Sequence, residues 1–265
     1  MAGPERQSLD AVLAAYAITD PEQRAAVALA YQVATEYTAP FIVEVVDAML
    51  DDLYEKVHAD PACRIMFVGR DGHSLALATA NLAPDLFAVH CSEAIISRSA
   101  ADMAIQDLER NSGRSFPELA GFRGTAWWIN PDHVNGARRY LADYLQRNGI
   151  PVGVPGSSVV VVDTSFKGTV QELLAAAFPQ TAFSGCYVFF GQAQSDPHPG
   201  TKRGYAAHRG EASNGQPLQS LPDDPALTFS YIGAIEVVEY TLNGPLESPL
   251  RIGPDGPVQQ RYQGE

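Results

Sequence analysis

A chain of 265 residues is long enough to bury a full core, and 46% apolar with 18% charged residues excludes a largely disordered polymer. A formal charge of −13 with no cluster of Lys and Arg argues against nucleic acid, whose binding rests on clustered cations. Small anions stay open, because a few cations and backbone N–H groups that converge locally are enough to bind them.

The first 60 residues read as a helical N-terminal segment. Asp20-Pro21-Glu22 combines a cap, a proline at the first helical position and an acid in the first turn. Pro40 opens a second helix with Phe41, Val45, Met49 and Leu53 on one face. Arg64 to Val68 is a short apolar run ended by Gly69, read as a buried strand. Gly72 to Ala83 reads as a helix closed by Pro84, Leu86 to Cys91 as a second strand, and Ser99 to Arg110 as a helix. About twenty irregular residues follow, with Trp127-Trp128 expected in the core, and then a helix from Asn130 to about Arg147. Ser158 to Val162 is the strongest strand, since four consecutive valines imply burial on both faces. A helix from about Thr169 to Phe178 and a strand from Phe183 to Phe190 come next.

The stretch 192–224 is rich in Gly, Pro, Ser and Asn and reads as a long loop or lid. Ala234 to Leu242 reads as a helix, and Leu250 to Tyr262 as a closing hairpin. Strand and helix alternate, so the expected fold is α/β. It has a mainly parallel, Rossmann-like sheet with helices on both faces, a helical N-terminal segment and a C-terminal hairpin, in a single domain over 1–265. Cys63, Cys91 and Cys186 share no paired spacing, no basic segment precedes an apolar run, and no stretch reaches the roughly 18–20 apolar residues of a membrane span. The expectation is a cytoplasmic protein with buried thiols and no membrane partner; an oligomer is left open.

In open α/β sheets ligands sit outside the carboxyl ends of the strands. Two loops stand there. In the first, Gly69-Arg70-Asp71-Gly72 brackets a cation and an anion between glycines before a helix, an arrangement suited to phosphate or, equally, to a plain ion pair. In the second, Asp163-Thr164-Ser165-Phe166-Lys167-Gly168-Thr169 places an acid, hydroxyls, a lysine and a glycine at a helix start. Those residues suit a sugar monophosphate, and the alternative is a helix cap by Ser165 or Thr169. It is no Walker A loop, because the lysine precedes the glycine. Ser97-Arg98 offers a further anion contact or a surface ion pair, and Lys202-Arg203 reads as a lid cation pair or, more simply, as solvated charge. The six histidines share no metal-ligand spacing. Glu236 and Glu239, one helical turn apart, either face the site or decorate a helix surface.

The series Phe67-Val68-Gly69-Arg70-Asp71-Gly72, Ser97-Arg98, Asp163 with Gly168-Thr169 and Gln171, Gly185 with Tyr187, and Ile235 to Tyr240 resembles bacterial proteins labelled haloacid-dehalogenase-like hydrolases. Several of those are joined to polysaccharide glycosyltransferases. Phosphatases of that superfamily need aspartates at i and i+2 after the first strand, where this chain has Gly69 and Asp71, and a glycine cannot attack phosphorus. Asp163 has Ser165 at i+2, so it offers no such pair either.

The layout is also similar to type I phosphoribosyltransferases, with Thr164 where a second acid is usual and a turn about two residues shorter. That resemblance implies transfer of ribose 5-phosphate from phosphoribosyl pyrophosphate, with Mg²⁺, to an unidentified small-molecule or sugar acceptor. Asp163, Arg70 and Asp71 would be catalytic, Asp163 also meeting the metal. Gly69, Gly72, Ser97, Arg98, Thr164, Ser165, Lys167, Gly168 and Thr169 would bind substrate. The alternatives are a phosphatase acting on a sugar phosphate and a non-catalytic phosphate-ligand binding protein.

Overall fold

The computed structural model describes residues 8–164, 166–211, 213–220, 231–242 and 246–261. Contacts divide the chain into two compact units, residues 1–44 and 45–265, where the sequence reads as one domain. In the first, Ser8 caps α1 (Leu9–Ala15) by accepting from the Ala11 N–H, and Asp20 caps α2 (Pro21–Val33) by accepting from the Gln23 N–H. A π-helical turn, Ala34–Thr38, runs on into α3 (Ala39–Ala59).

The second unit begins within α3, whose Val45, Met49 and Leu53 are buried as their spacing predicts, with Val46 buried beside them. The strands that follow are β1 (Arg64–Val68), β2 (Cys91–Ala94), β3 (Ser157–Asp163), β4 (Thr181–Gly191), β5 (Lys202–Glu211) and β6 (Pro217–Ser220). They form one sheet in the order β2-β1-β3-β4-β5-β6, in which the first five are parallel and β6 is antiparallel to β5. The helices between them are α4 (Gly72–Leu82), α5 (Pro84–His90), α6 (Arg98–Ser112), α7 (Ala137–Arg147) and α8 (Thr169–Ala177). After β6 come α9 (Tyr231–Leu242) and a hairpin of β7 (Arg251–Gly253) and β8 (Gly256–Val258). The expected α/β class, parallel sheet and closing hairpin are all present.

The valines of β3 show why the sheet needs cover on both sides. Val159 and Val161 join Met66 and Val68 in the core under α6, α7 and α8. Val160 and Val162 register beside Ile65 and Phe67 on the opposite face, where α4 contacts β1, β2 and β3. All four are at most 1% exposed, and each contributes about 1.5–3 kcal/mol by burial.

Several expectations fail for identifiable reasons. Leu86–His90 is helix rather than strand, because Pro84 starts α5 at its first position instead of only ending α4; β2 begins at Cys91. The helix expected from Asn130 is a short 3-10 turn, Pro131–His133, and α7 proper starts at Ala137 after Gly136 in the left-handed region. Trp127 and Trp128 lie 78% and 66% exposed, edge to face against each other rather than in the core. The stretch read as a loop or lid carries β5 and β6; of it, residues 212 and 221–224 lie outside the described residues. A β-bulge breaks the register of β5 against β4, with Tyr187 opposite Gly204 and Phe189 opposite Ala207. That irregularity hides the strand's alternation. Among the described residues no helix is long and apolar enough to cross a membrane.

Candidate functional site

The strand order places β2 on one side of β1 and β3 on the other. The chain thus reverses direction of travel across the sheet at β1, and the carboxyl ends of β1 and β3 are where open α/β sheets hold ligands in a crevice. Gly69 leaves β1 with φ of +72° while its N–H donates to the Ala94 carbonyl at 2.9 Å, a turn in which a side chain would be strained. Gly72 opens α4 so close to β1 that a Cβ would sit 3.2 Å from the Phe67 carbonyl carbon.

Between these glycines Asp71 turns toward β3. The Thr164 hydroxyl donates to its Oδ2 at 3.4 Å, while Oδ1 is buried with no hydrogen-bond partner among the described residues. Burial pushes the Asp71 carboxyl above the ordinary range. Glu239 adds to the rise, and Arg70 and the Thr164 hydrogen bond oppose it. Asp163, the last residue of β3, accepts the Thr164 N–H at 2.8 Å and is half-buried. Its carboxyl is pushed up to about 8, chiefly by burial and further by Asp71 and Glu239; the Thr164 N–H and Arg98 pull the other way. Three carboxylates and two guanidiniums therefore share one field at the switch between β1 and β3.

The flanking residues hold the rim. Ser97 caps α6, accepting from the Ala100 N–H at 3.0 Å and donating to the Pro249 carbonyl at 2.7 Å, and Arg98 follows as the first helical residue. Arg70 donates to the Leu246 carbonyl at 3.2 Å. Both contacts come from the segment after α9, the helix that carries Glu239.

The second loop divides. Thr164 is buried, and the carbonyls of Thr164 and Phe166 accept the N–H groups of Phe189 and Gly191 at 3.0 and 2.9 Å, which staples the turn to β4. Ser165 lies outside the described residues. Lys167 is exposed, with no ion-pair partner among the described residues. Gly168, not Ser165 or Thr169, holds the cap position of α8, with φ of +70°. A Cβ there would lie 2.7 Å from Cδ of Lys202 and 3.0 Å from the Tyr187 hydroxyl. Packing thus accounts for this glycine without any ligand.

Behind the turn, Lys202 corrects its reading as a solvated charge. It is 3% exposed, and its Nζ lies 2.5 Å from Oε1 of Glu172 and 2.7 Å from Oδ1 of Asp196. Glu172 also accepts from half-exposed His198 at 2.7 Å, and Gln171 accepts from Tyr187 at 3.0 Å. Arg203 donates to Asp52 at 2.8 Å and lies over the Tyr205 ring.

No family model matches the chain, and no match is found among curated proteins or among solved structures.

Of the residues singled out in the sequence, Arg70, Asp71, Arg98, Asp163 and Thr164 come together, with Gly69, Gly72 and Ser97 shaping the rim. Lys167, Gly168 and Thr169 belong to the neighbouring turn. Glu239 joins the acids, whereas Glu236 is exposed. The buried Glu172–Lys202–Asp196 group escaped sequence reasoning. Its one signal was the pair Gln171-Glu172 inside the otherwise apolar run Val170 to Leu174.

Proposed function

We propose that the crevice binds phosphoribosyl pyrophosphate as its Mg²⁺ complex and transfers ribose 5-phosphate to a small-molecule or sugar acceptor. The observation that carries this reading is the meeting of Asp71 and Asp163 with Arg70 and Arg98 where the strand order reverses. Carboxylates suit ribose hydroxyls and a hard cation, and guanidiniums suit phosphate oxygens by bidentate contact.

The residues fit Mg²⁺. Their donors are oxygens alone, and the buried, unpartnered Oδ1 of Asp71 is an atom that a cation would engage. Among the described residues no group of three or more His, Cys, Asp and Glu could hold a metal without help. Mg²⁺ commonly takes one or two carboxylates and completes its shell from substrate phosphates and water. Asp163 and Asp71 would hold it here, and when bound it would neutralise charge on the pyrophosphate.

Arg70 faces the departing pyrophosphate, and its charge stabilises the negative oxygens that develop as the C1–O bond breaks. Arg98, at the start of α6, offers a second guanidinium for phosphate near Asp163, while Lys167 stands in the neighbouring turn. Asp163 holds the ribose hydroxyls and fixes the sugar for attack by the acceptor. Gly69 offers no nucleophile, which counts against the phosphatase alternative.

The deciding experiment incubates the protein with Mg²⁺, phosphoribosyl pyrophosphate and a panel of alcohol and sugar acceptors, and measures pyrophosphate and phosphate separately. Acceptor-dependent pyrophosphate release is expected. Phosphate release from sugar phosphates without pyrophosphate would instead favour the phosphatase, and binding without turnover a ligand-binding protein.

A further inference from the structure

The last described segment, 246–261, is built as a strap across the rim of the crevice. Its far end is fixed: Ile252 is buried in the main core, and Arg147 of α7 donates to the Pro254 carbonyl at 3.0 Å. Its two strands are joined by the Leu246–Arg261 bridge and by hydrogen bonds from Glu247 N–H to Gln260 and from Leu250 N–H to Val258. Its near end is held to the rim by the two side-chain contacts already described, Ser97 to the Pro249 carbonyl and Arg70 to the Leu246 carbonyl. The Ser97 contact is short and half-buried at 2.7 Å; the Arg70 contact is longer and exposed at 3.2 Å.

The weaker latch is made by the guanidinium that stands beside Asp71 in the crevice. A carbonyl oxygen is a neutral acceptor, whereas phosphate oxygens carry charge and can take two parallel N–H bonds from one guanidinium. An anion entering the crevice therefore competes with Leu246 for Arg70 and has the advantage.

We propose that Arg70 is a ligand-operated latch: it holds the strap at Leu246 in the free protein and exchanges that carbonyl for a pyrophosphate oxygen when the crevice fills. This rests on the reading of the crevice as an anion site. It adds that occupancy is coupled to the mobility of residues 246–250, on the same side as the helix bearing Glu239. By linkage, whatever loosens the strap favours anion binding, and anion binding loosens the strap.

The test is amide hydrogen exchange on the full chain, free and with Mg²⁺ and inorganic pyrophosphate, with binding followed in parallel by calorimetry. Exchange at Glu247 and Leu250 should rise about fivefold in the pyrophosphate complex, while the amides of β3 stay unchanged. Arg70→Ala should show the faster strap exchange without any ligand. Arg147→Ala, which loses the contact to the Pro254 carbonyl at the strap's far end, serves as a second variant, expected to speed strap exchange while leaving its response to pyrophosphate intact. Pyrophosphate binding with unchanged strap exchange, or wild-type exchange in Arg70→Ala, would overturn the latch and leave the anion site standing. Failure of pyrophosphate to bind would overturn both.

Discussion

Replacing Lys202 with methionine tests the buried charge group directly. The ammonium is sealed between Glu172 and Asp196, all three side chains being at most 1% exposed. Methionine keeps most of the stem that packs on Gly168 and removes only the charge. Two carboxylates are then left in the interior without their cation, with half-exposed His198 as the remaining neighbour of Glu172. Breaking a buried pair in this way costs about 3–5 kcal/mol. For a domain of this size that corresponds to a fall in Tm of roughly 6–20 °C, and it is a large part of a typical total stability of about 5–15 kcal/mol. Urea unfolding of the wild type, Lys202→Met, Glu172→Gln and the double variant measures it. Coupling between the two sites should exceed about 1 kcal/mol, as for contacting residues. A Lys202→Met loss below about 1 kcal/mol, or additive variants, would show that the interior reading of this lysine is wrong.

Asp163→Asn should abolish acceptor-dependent pyrophosphate release and also flatten the pH dependence of stability. Because the folded carboxyl titrates near 8 rather than at its ordinary value, the folded state binds the extra proton between those limits. Wild-type stability should then fall as pH rises through that window, and urea titrations at about pH 5, 7 and 9 should show a steeper decline in the wild type than in Asp163→Asn. Gly168→Ala should cost at least the 1–2 kcal/mol or so of the left-handed region, with more from the contact against Lys202, read from the shift in urea midpoint. Arg98→Ala should weaken binding of phosphoribosyl pyrophosphate about tenfold or more by calorimetry, while Lys167→Ala should change it far less; the reverse order would return the phosphate cradle to the α8 turn.

The architecture was legible because its strongest signals are local. Four valines in a row fit the centre of a parallel sheet, and Asp20-Pro21 fits a helix start. Rules about strand ends then pointed to Asp71 and Asp163 before their contact through Thr164 was known. What was illegible depends on partners distant in sequence. Lys202 looks like a surface residue until Glu172 and Asp196 enclose it, and Glu239 looks like helix decoration until its charge is found to bear on Asp71 and Asp163. Pro84 carries no mark that distinguishes ending one helix from starting the next. Gly168 suggests a phosphate turn because the space it yields to Lys202 cannot be seen in a linear chain.

The bulge in β5 also bears on how the chain can change. Tyr187 and Phe189 of β4 are two residues apart, but their partners Gly204 and Ala207 are three apart. The pairs after that point, including the four that seat β6 from His208 to Glu211, resume in step beyond the one surplus residue. Losing residue 205 or 206 would leave the partners two apart on both strands, so the ladder would straighten while buried His208 and exposed Arg209 kept their sides. A single-codon loss there would thus be better tolerated than one in β3, whose pairing with β1 and β4 has no residue to spare.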